Sequence, residues 1–265
     1  MRRRLDIFAS VLTVLLIIWI SAVSTALILA SSEDFYKESL RECGVYSEKK
    51  EDGTERRRII YFVGGIRDKK ATLSDEQLDL VCEHIVSYLF GGLDDFSLTL
   101  DGVKMLNGGY EDGVSLFGED AVSHMEDVKG LMQGALYSLI PCSILLVGLI
   151  IYIIKKADRK KALGYSLKTL MGLVGFALIF CLWSYLGATE TKPFLLNLWG
   201  NIHYILFAFN NDAYIGSFLL DALVYILTLE FFITAVVIVL AVMITALAVW
   251  LFFLALLKKR AIKNL

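Results

Sequence analysis

The chain has 265 residues, 57% of them apolar, and a formal net charge of −2; its mean hydropathy is +0.63. The apolar residues come in long uninterrupted blocks that a water-soluble core does not need, which excludes an ordinary soluble globular protein. With no excess of positive charge, nothing marks nucleic acid as a partner.

Arg2, Arg3 and Arg4 precede a first apolar block at 5–30, broken only by Asp6. It is longer than a typical signal-peptide core, so a retained membrane anchor is expected rather than a cleaved leader. Further blocks run over 131–154, 165–188 and 231–257. About 20 apolar residues suffice for a helix to cross the hydrocarbon layer, and backbone groups in lipid must be paired within the segment. Four transmembrane helices follow, the second carrying Pro141 as a candidate kink. The basic residues precede the first span, lie between the second and third (Lys155, Lys156, Arg159, Lys160, Lys161), and follow the fourth (Lys258, Lys259, Arg260, Lys263). Four crossings put these three segments on one side, and the positive-inside rule makes that side cytoplasmic. Residues 31–130 carry 22 Asp+Glu against 12 Lys+Arg, a net of −10. The small total charge thus conceals a basic inside and an acidic outside.

The expected fold is an α-helical membrane protein: four transmembrane helices with an extracellular α/β or β-rich cap between helices 1 and 2. The chain divides into the first span (1–30), the cap (31–118), an interfacial helix running into the second span (119–154), and the cytoplasmic loop with the third span (155–188). An outer interfacial segment (189–230) and the fourth span with its basic tail (231–265) complete it. In the cap, a turn at Glu51-Asp52-Gly53-Thr54 between 43–47 and 58–63 suggests a hairpin. Ser74 with Gln77 forms a capping box, after which Leu78, Val81, Ile85, Tyr88 and Leu89 fall on one helical face until Gly91-Gly92. Short strands are expected at 96–100 and 113–117. Cys43 and Cys82 share the cap, where a disulfide is chemically allowed, although nothing in the sequence brings them together. His84 lies off the apolar stripe and reads as a solvated residue.

Two histidines sit at the outer edges of spans, His124 and His203. Imidazole is the side chain best suited to moving protons near neutral pH. Asp127 lies one helical turn after His124 and Asp120 one turn before it, so either carboxylate could hold one ring nitrogen and raise the basicity of the other. The segment from Pro193 to Phe209 is apolar and aromatic and reads as a helix in the outer interface, bringing His203 to the depth of His124. Asn211, Asp212 and Tyr214 follow as weaker candidates for holding a head group or the second imidazole. The sequence contains no GxSxG elbow, P-loop, dinucleotide fingerprint or HExxH pattern, so no metal and no cofactor are expected.

The run from Phe117 to Leu131, centred on His124-Met125 and Asp127-Val128-Lys129, resembles the HM-x-DVK motif of a bacterial integral membrane family that includes the lipoprotein intramolecular transacylases. His203-Tyr204-Ile205-Leu206-Phe207, Asn211-Asp212 and Glu230-Phe231-Phe232 are similar to its second block, and 34–45 matches its layout more weakly. Departures from the family pattern fall at Ala121, Tyr214 and Leu229, where it tends to have Glu, Trp and Pro. The resemblance implies four helices topped by a β-rich cap. It also implies transfer of the sn-2 acyl chain of a diacylglyceryl lipoprotein to its own N-terminal amino group, with membrane lipid around the site and His124 and His203 as acid and base. The competing readings are a non-catalytic scaffold or transporter accessory subunit, and a lipid acyl hydrolase using the same site.

Overall fold

The structure is a computed structural model that describes residues 2–46, 61–66, 69–190, 193–206 and 221–263. It divides into two compact units, one of residues 1–26, 135–206 and 237–265, the other of 27–134 and 207–236.

The first unit is helical. It is built from α1 (Arg2–Ala30), the greater part of α4 (Glu119–Lys155), α5 (Arg159–Leu186), α6 (Phe194–Leu206) and most of α8 (Leu229–Lys263). Four of these helices, α1, α4, α5 and α8, are long and apolar enough to cross a membrane, and the chain is a multi-pass membrane protein. Only 6% of the apolar window of α4 and of α5 is buried inside the protein, against 33% for α1. Large side chains such as Ile144 on α4 and Ile179 on α5 point outward, and in water this surface would be prohibitively large. Where helices meet, Ala9, Val14, Ile153, Ala162, Leu247, Trp250 and Leu254 form the core. Some polar groups in this layer find partners on a neighbouring helix. The Tyr152 hydroxyl donates to Asp6 Oδ1 at 3.0 Å, and Trp19 Nε1 donates to Ser138 Oγ at 2.9 Å. Asp158 caps α5 by accepting from the Lys160 and Lys161 amides. Pro141 lies inside α4, which continues through it.

The second unit mixes helices with short strands. Ser32 caps α2 (Glu33–Glu42) through the Phe35 amide, and α2 buries Tyr36, Ser39 and Leu40. The expected capping box is formed at α3 (Asp75–Val86): Gln77 N donates to Ser74 Oγ, and Ser74 N donates to Gln77 Oε1. Leu78, Val81, Ile85, Tyr88 and Leu89 are all buried, as the apolar stripe requires. The helix continues into one π-helical turn, Ser87–Gly91, and stops at Gly92, whose φ of +91° only glycine adopts without strain.

Strands β1 (Tyr61–Phe62), β2 (Lys70–Thr72), β4 (Val103–Met105) and β5 (Tyr110–Glu111) form an antiparallel sheet in the order β1-β2-β4-β5. Ala71 faces Tyr61 on one side and Met105 on the other. A second pair joins β3 (Thr99–Leu100) to β6 (Val114–Ser115), with Leu100 opposite Val114. The turns between them are locked reciprocally: Gly102 N donates to Asp112 Oδ1 and Gly113 N to Asp101 Oδ1. A short helix α7 (Ala222–Ile226) and Phe231 close the core against α2, where the Phe231 ring lies 5.2 Å from Tyr36 and 5.4 Å from Phe35.

Two expectations for this unit need correction, the strand at 43–47 and the solvated His84. Residues 43–46 end α2 rather than forming a strand, because Cys43 is its C-cap and Gly44 turns left-handed; β1 pairs with β2 instead. The turn at 51–54 lies outside the described residues. His84 is half-buried, its Nε2 donating to the Phe96 carbonyl at 2.9 Å. It ties the end of α3 to the loop before β3. Cys43 and Cys82 are free thiols, not a disulfide.

Candidate functional site

The first turns of α4 carry the first histidine segment. Ala121, His124, Met125 and Val128 recur at helical spacing, and this face is turned into the core of the second unit: Ala121 and Met125 are buried and Val128 packs against the same cluster. His124 is the polar member of that stripe and only 7% exposed. Glu119, Asp120, Ser123 and Glu126 occupy the opposite, exposed face. Asp127 is half-buried. The two candidate orienting carboxylates therefore differ: Asp127 flanks the buried stripe, and Asp120 faces outward.

This helical segment is held at both ends. At its start, Gly118 N donates to Asp221 Oδ2 at 2.7 Å, and the other oxygen of Asp221 accepts from Leu223 N at 2.9 Å. One buried carboxylate thereby serves the turn entering α4 and caps α7. Burial holds the Asp221 carboxyl above the usual carboxylate range; the two amide hydrogen bonds pull it down, and the nearby Asp120 charge pushes it up. Gly118 is pressed so close to Gly65 that a Cβ there would stand 3.0 Å from the Gly65 Cα and 3.1 Å from Asp221 Oδ2. Eleven residues on, Lys129 Nζ donates to the Leu93 carbonyl at 2.5 Å and lies 4.3 Å over the Tyr88 ring. His124 thus rides on a helix pinned at Gly118 and at Lys129. The sequence reading missed Asp221. Its signal was an Asp directly before an apolar helical run, the pattern of an N-cap.

His203 lies on α6 in the first unit, and its side chain is outside the described part of the structure. α6 is anchored to α5 by asparagines one turn apart: Asn197 Nδ2 donates to the Ser184 carbonyl at 2.7 Å, and Asn201 Nδ2 donates to Ser184 Oγ at 3.0 Å. Asn211, Asp212 and Tyr214 lie outside the described residues. Of the candidate residues, the structure brings together His124, Asp127 and Asp120 on one helix.

A family model described as lipoprotein intramolecular transacylase Lit matches residues 10–232, which include both histidine segments. The chain belongs to the lipoprotein intramolecular transacylase family. Membership places it among the membrane acyltransferases of lipoprotein modification. A solved structure, the membrane-integral lipoprotein intramolecular transacylase Lit from Bacillus cereus, is similar over 97% of this chain and 98% of that one, with a TM-score of 0.61. At 14% sequence identity, that likeness is one of fold. No curated protein matches the chain.

Proposed function

We propose that this chain moves the sn-2 acyl chain of a diacylglyceryl-modified N-terminal cysteine to the α-amino group of that cysteine, yielding a lyso-form lipoprotein. The observation that carries the reading is family membership across residues 10–232. It is supported by the burial of His124 on a helix pinned at both ends.

In this reading the amino nitrogen, as its free base, attacks the sn-2 ester carbonyl. A carbon–nitrogen bond forms, and the carbonyl oxygen takes up negative charge in a tetrahedral intermediate. Collapse breaks the bond to the glyceryl oxygen, which takes a proton, while the nitrogen loses one. An α-amino group titrates at about 8 and an imidazole at about 6.5, close enough for a histidine to serve as general base. His124, oriented by Asp127 or Asp120, takes the proton from the amine; His203 donates to the oxyanion and to the departing oxygen. These roles are interchangeable between the two rings. Amine and ester belong to one substrate molecule, so holding them in register supplies a large share of the rate. In the same reading Asn211, Asp212 and Tyr214 hold the head group or the second imidazole. The reacting groups face the extracellular side, with the cap, and both chain termini are cytoplasmic.

The test is mass spectrometry of the N-terminal peptide of a diacyl lipoprotein incubated with the full-length membrane protein. The parent chain converts it to the lyso form at unchanged total acyl mass, with one acyl chain now on nitrogen. His124→Ala and His203→Ala each abolish conversion. Normal conversion by either variant removes that residue from the mechanism, and release of free fatty acid would mark a hydrolase instead.

A further inference from the structure

A second polar feature lies within the helical unit, among the basic ends of the spans. Arg3 of α1 and Lys161, Gly164, Tyr165 and Lys168 of α5 line a recess of about 300 Å³. The four α5 residues sit at i, i+3, i+4 and i+7, one helical face about 10 Å long. Gly164 leaves the middle of that face open, since a Cβ there would meet nothing within 4 Å. Three cations converge on the recess. Lys161 is paired with Asp158 at 3.1 Å, whereas Arg3 and Lys168 have no ion-pair partner among the described residues. Among the described residues the recess therefore keeps two positive charges without an acidic partner. Lys168 belongs to the membrane-crossing stretch Lys160–Leu186, where a charge persists when it reaches an anion or the interface.

We propose that this recess binds the phosphate headgroup of an anionic membrane phospholipid. The apolar surface beside it favours a lipid over a soluble phosphate. One turn beyond Arg3 on α1 stands exposed Ile7, and one turn beyond Lys168 on α5 stands Met171, 73% exposed, with Val174 beyond it. A phosphate held by Arg3 and Lys168 has its acyl chains laid along these side chains. Basic pockets between transmembrane helices bind lipid head groups by this combination of charge and apolar flank. The site is independent of the acyl-transfer reading and uses none of its residues.

The test is native mass spectrometry of the full-length protein in a neutral detergent, titrated with dioleoylphosphatidylglycerol or dioleoylphosphatidylcholine. The parent chain retains the anionic lipid at least tenfold better than the zwitterionic one. Two variants lose that preference: Arg3→Gln/Lys168→Gln removes the charges, and Gly164→Leu fills the recess while keeping every charge. Lys258→Gln/Lys259→Gln, which alters basic residues outside the recess, leaves the preference intact. Unchanged lipid retention by Gly164→Leu, or an equal loss in Lys258→Gln/Lys259→Gln, shows diffuse charge attraction and overturns the site. Displacement of the lipid by equimolar glycerol 3-phosphate overturns the choice of a lipid. A circular-dichroism melt of each variant confirms the fold, and the charge-removing pair, altered at exposed side chains only, carries the test if Gly164→Leu misfolds.

Discussion

The Gly118 amide donates to one oxygen of the buried Asp221 carboxylate across 103 residues of sequence, and the other oxygen caps α7, so that one carboxylate joins the entry of the His124 helix to α7. Asp221→Ala leaves two amide donors without their acceptor, one of them buried. The expected cost is about 1–3 kcal/mol of stability, since an unsatisfied buried donor loses its desolvation energy with nothing in return. A lower thermal midpoint of the detergent-solubilised protein checks it. An unchanged midpoint shows that these donors find water or another partner.

The same carboxylate predicts a pH dependence. Its pKa in the folded protein is raised, chiefly by burial. Between the ordinary value of about 3.9 and the raised one, the folded state binds more protons than the unfolded state, so this group's contribution to stability falls as pH rises. It is fully present below the unfolded pKa and is lost as pH passes through the folded one. Asp221→Asn cannot titrate, and its amide accepts only one of the two hydrogen bonds. Its stability deficit against the parent chain is therefore larger at pH 4 than at pH 7. Thermal melts across that range measure it; a deficit that grows with pH contradicts the assignment.

Glycine at 118 is required by close approach. A Cβ there meets Gly65 backbone atoms at 3.0 and 3.1 Å, and backbone cannot step aside as a flexible side chain can. Gly118→Ala is expected to cost about 1–3 kcal/mol through overpacking. Gly130 lies inside α4, the helix that Gly118 precedes, with nothing within 4 Å of its Cβ, so Gly130→Ala is expected to stabilise by about 0.5–1 kcal/mol through helix propensity. Opposite shifts in thermal midpoint for the two substitutions confirm that contact rather than composition decides.

Much of this architecture is legible from local pattern. The four spans declare themselves by apolar length, the capping box by Ser74 and Gln77, and the buried face of α3 by spacing. Strands β3 and β6 follow from apolar alternation on either side of a turn-rich stretch, although their pairing comes only from the structure. Strands β2 and β4 escape such a reading because three residues are too few to show alternation, and they form because each supplies hydrogen bonds to a neighbour distant in sequence. Helix α2 is missed for another reason: its mean polarity is high, and it buries only three residues. Within the candidate site, the spacing of His124 from Asp120 and Asp127 was readable. The burial that distinguishes the two carboxylates was not, because it depends on which helical face meets the core. The clasp at Asp221 joins Gly118 to a residue with no local relation to it, and no periodicity reports such a contact.

The difference between those carboxylates gives a kinetic prediction. Asp127 is half-buried beside the His124 stripe, while Asp120 is exposed. A carboxylate that fixes a histidine tautomer acts best when shielded from water, where its hydrogen bond is electrostatically stronger. In the lipoprotein conversion assay, Asp127→Asn is expected to lower the rate tenfold or more, and Asp120→Asn to lower it less. The reverse order would make Asp120 the orienting group, and equal small effects would leave His124 without a carboxylate partner in the mechanism.

The unjoined cysteines of the second unit are open to direct chemical test. Cys82 is completely buried on α3; burial pushes its thiol up to about 11, against a lowering by the Tyr46 hydroxyl 3.7 Å away. Burial, together with the charges of Glu230 and Glu42, also raises the Cys43 thiol, against a lowering by a hydrogen bond with Thr228. The thiolate is the reactive form, and at pH 7.5 a raised pKa leaves little of it. With N-ethylmaleimide at that pH and no reductant, the folded protein is expected to leave Cys82 unlabelled and to label Cys43 slowly. Denaturation, still without reductant, exposes both to rapid labelling, read as two added masses on the peptides that contain them. Rapid labelling of Cys82 in the folded protein would contradict its burial. Labelling that appears only after reduction would mean that the two sulfurs are bonded in the membrane-extracted protein.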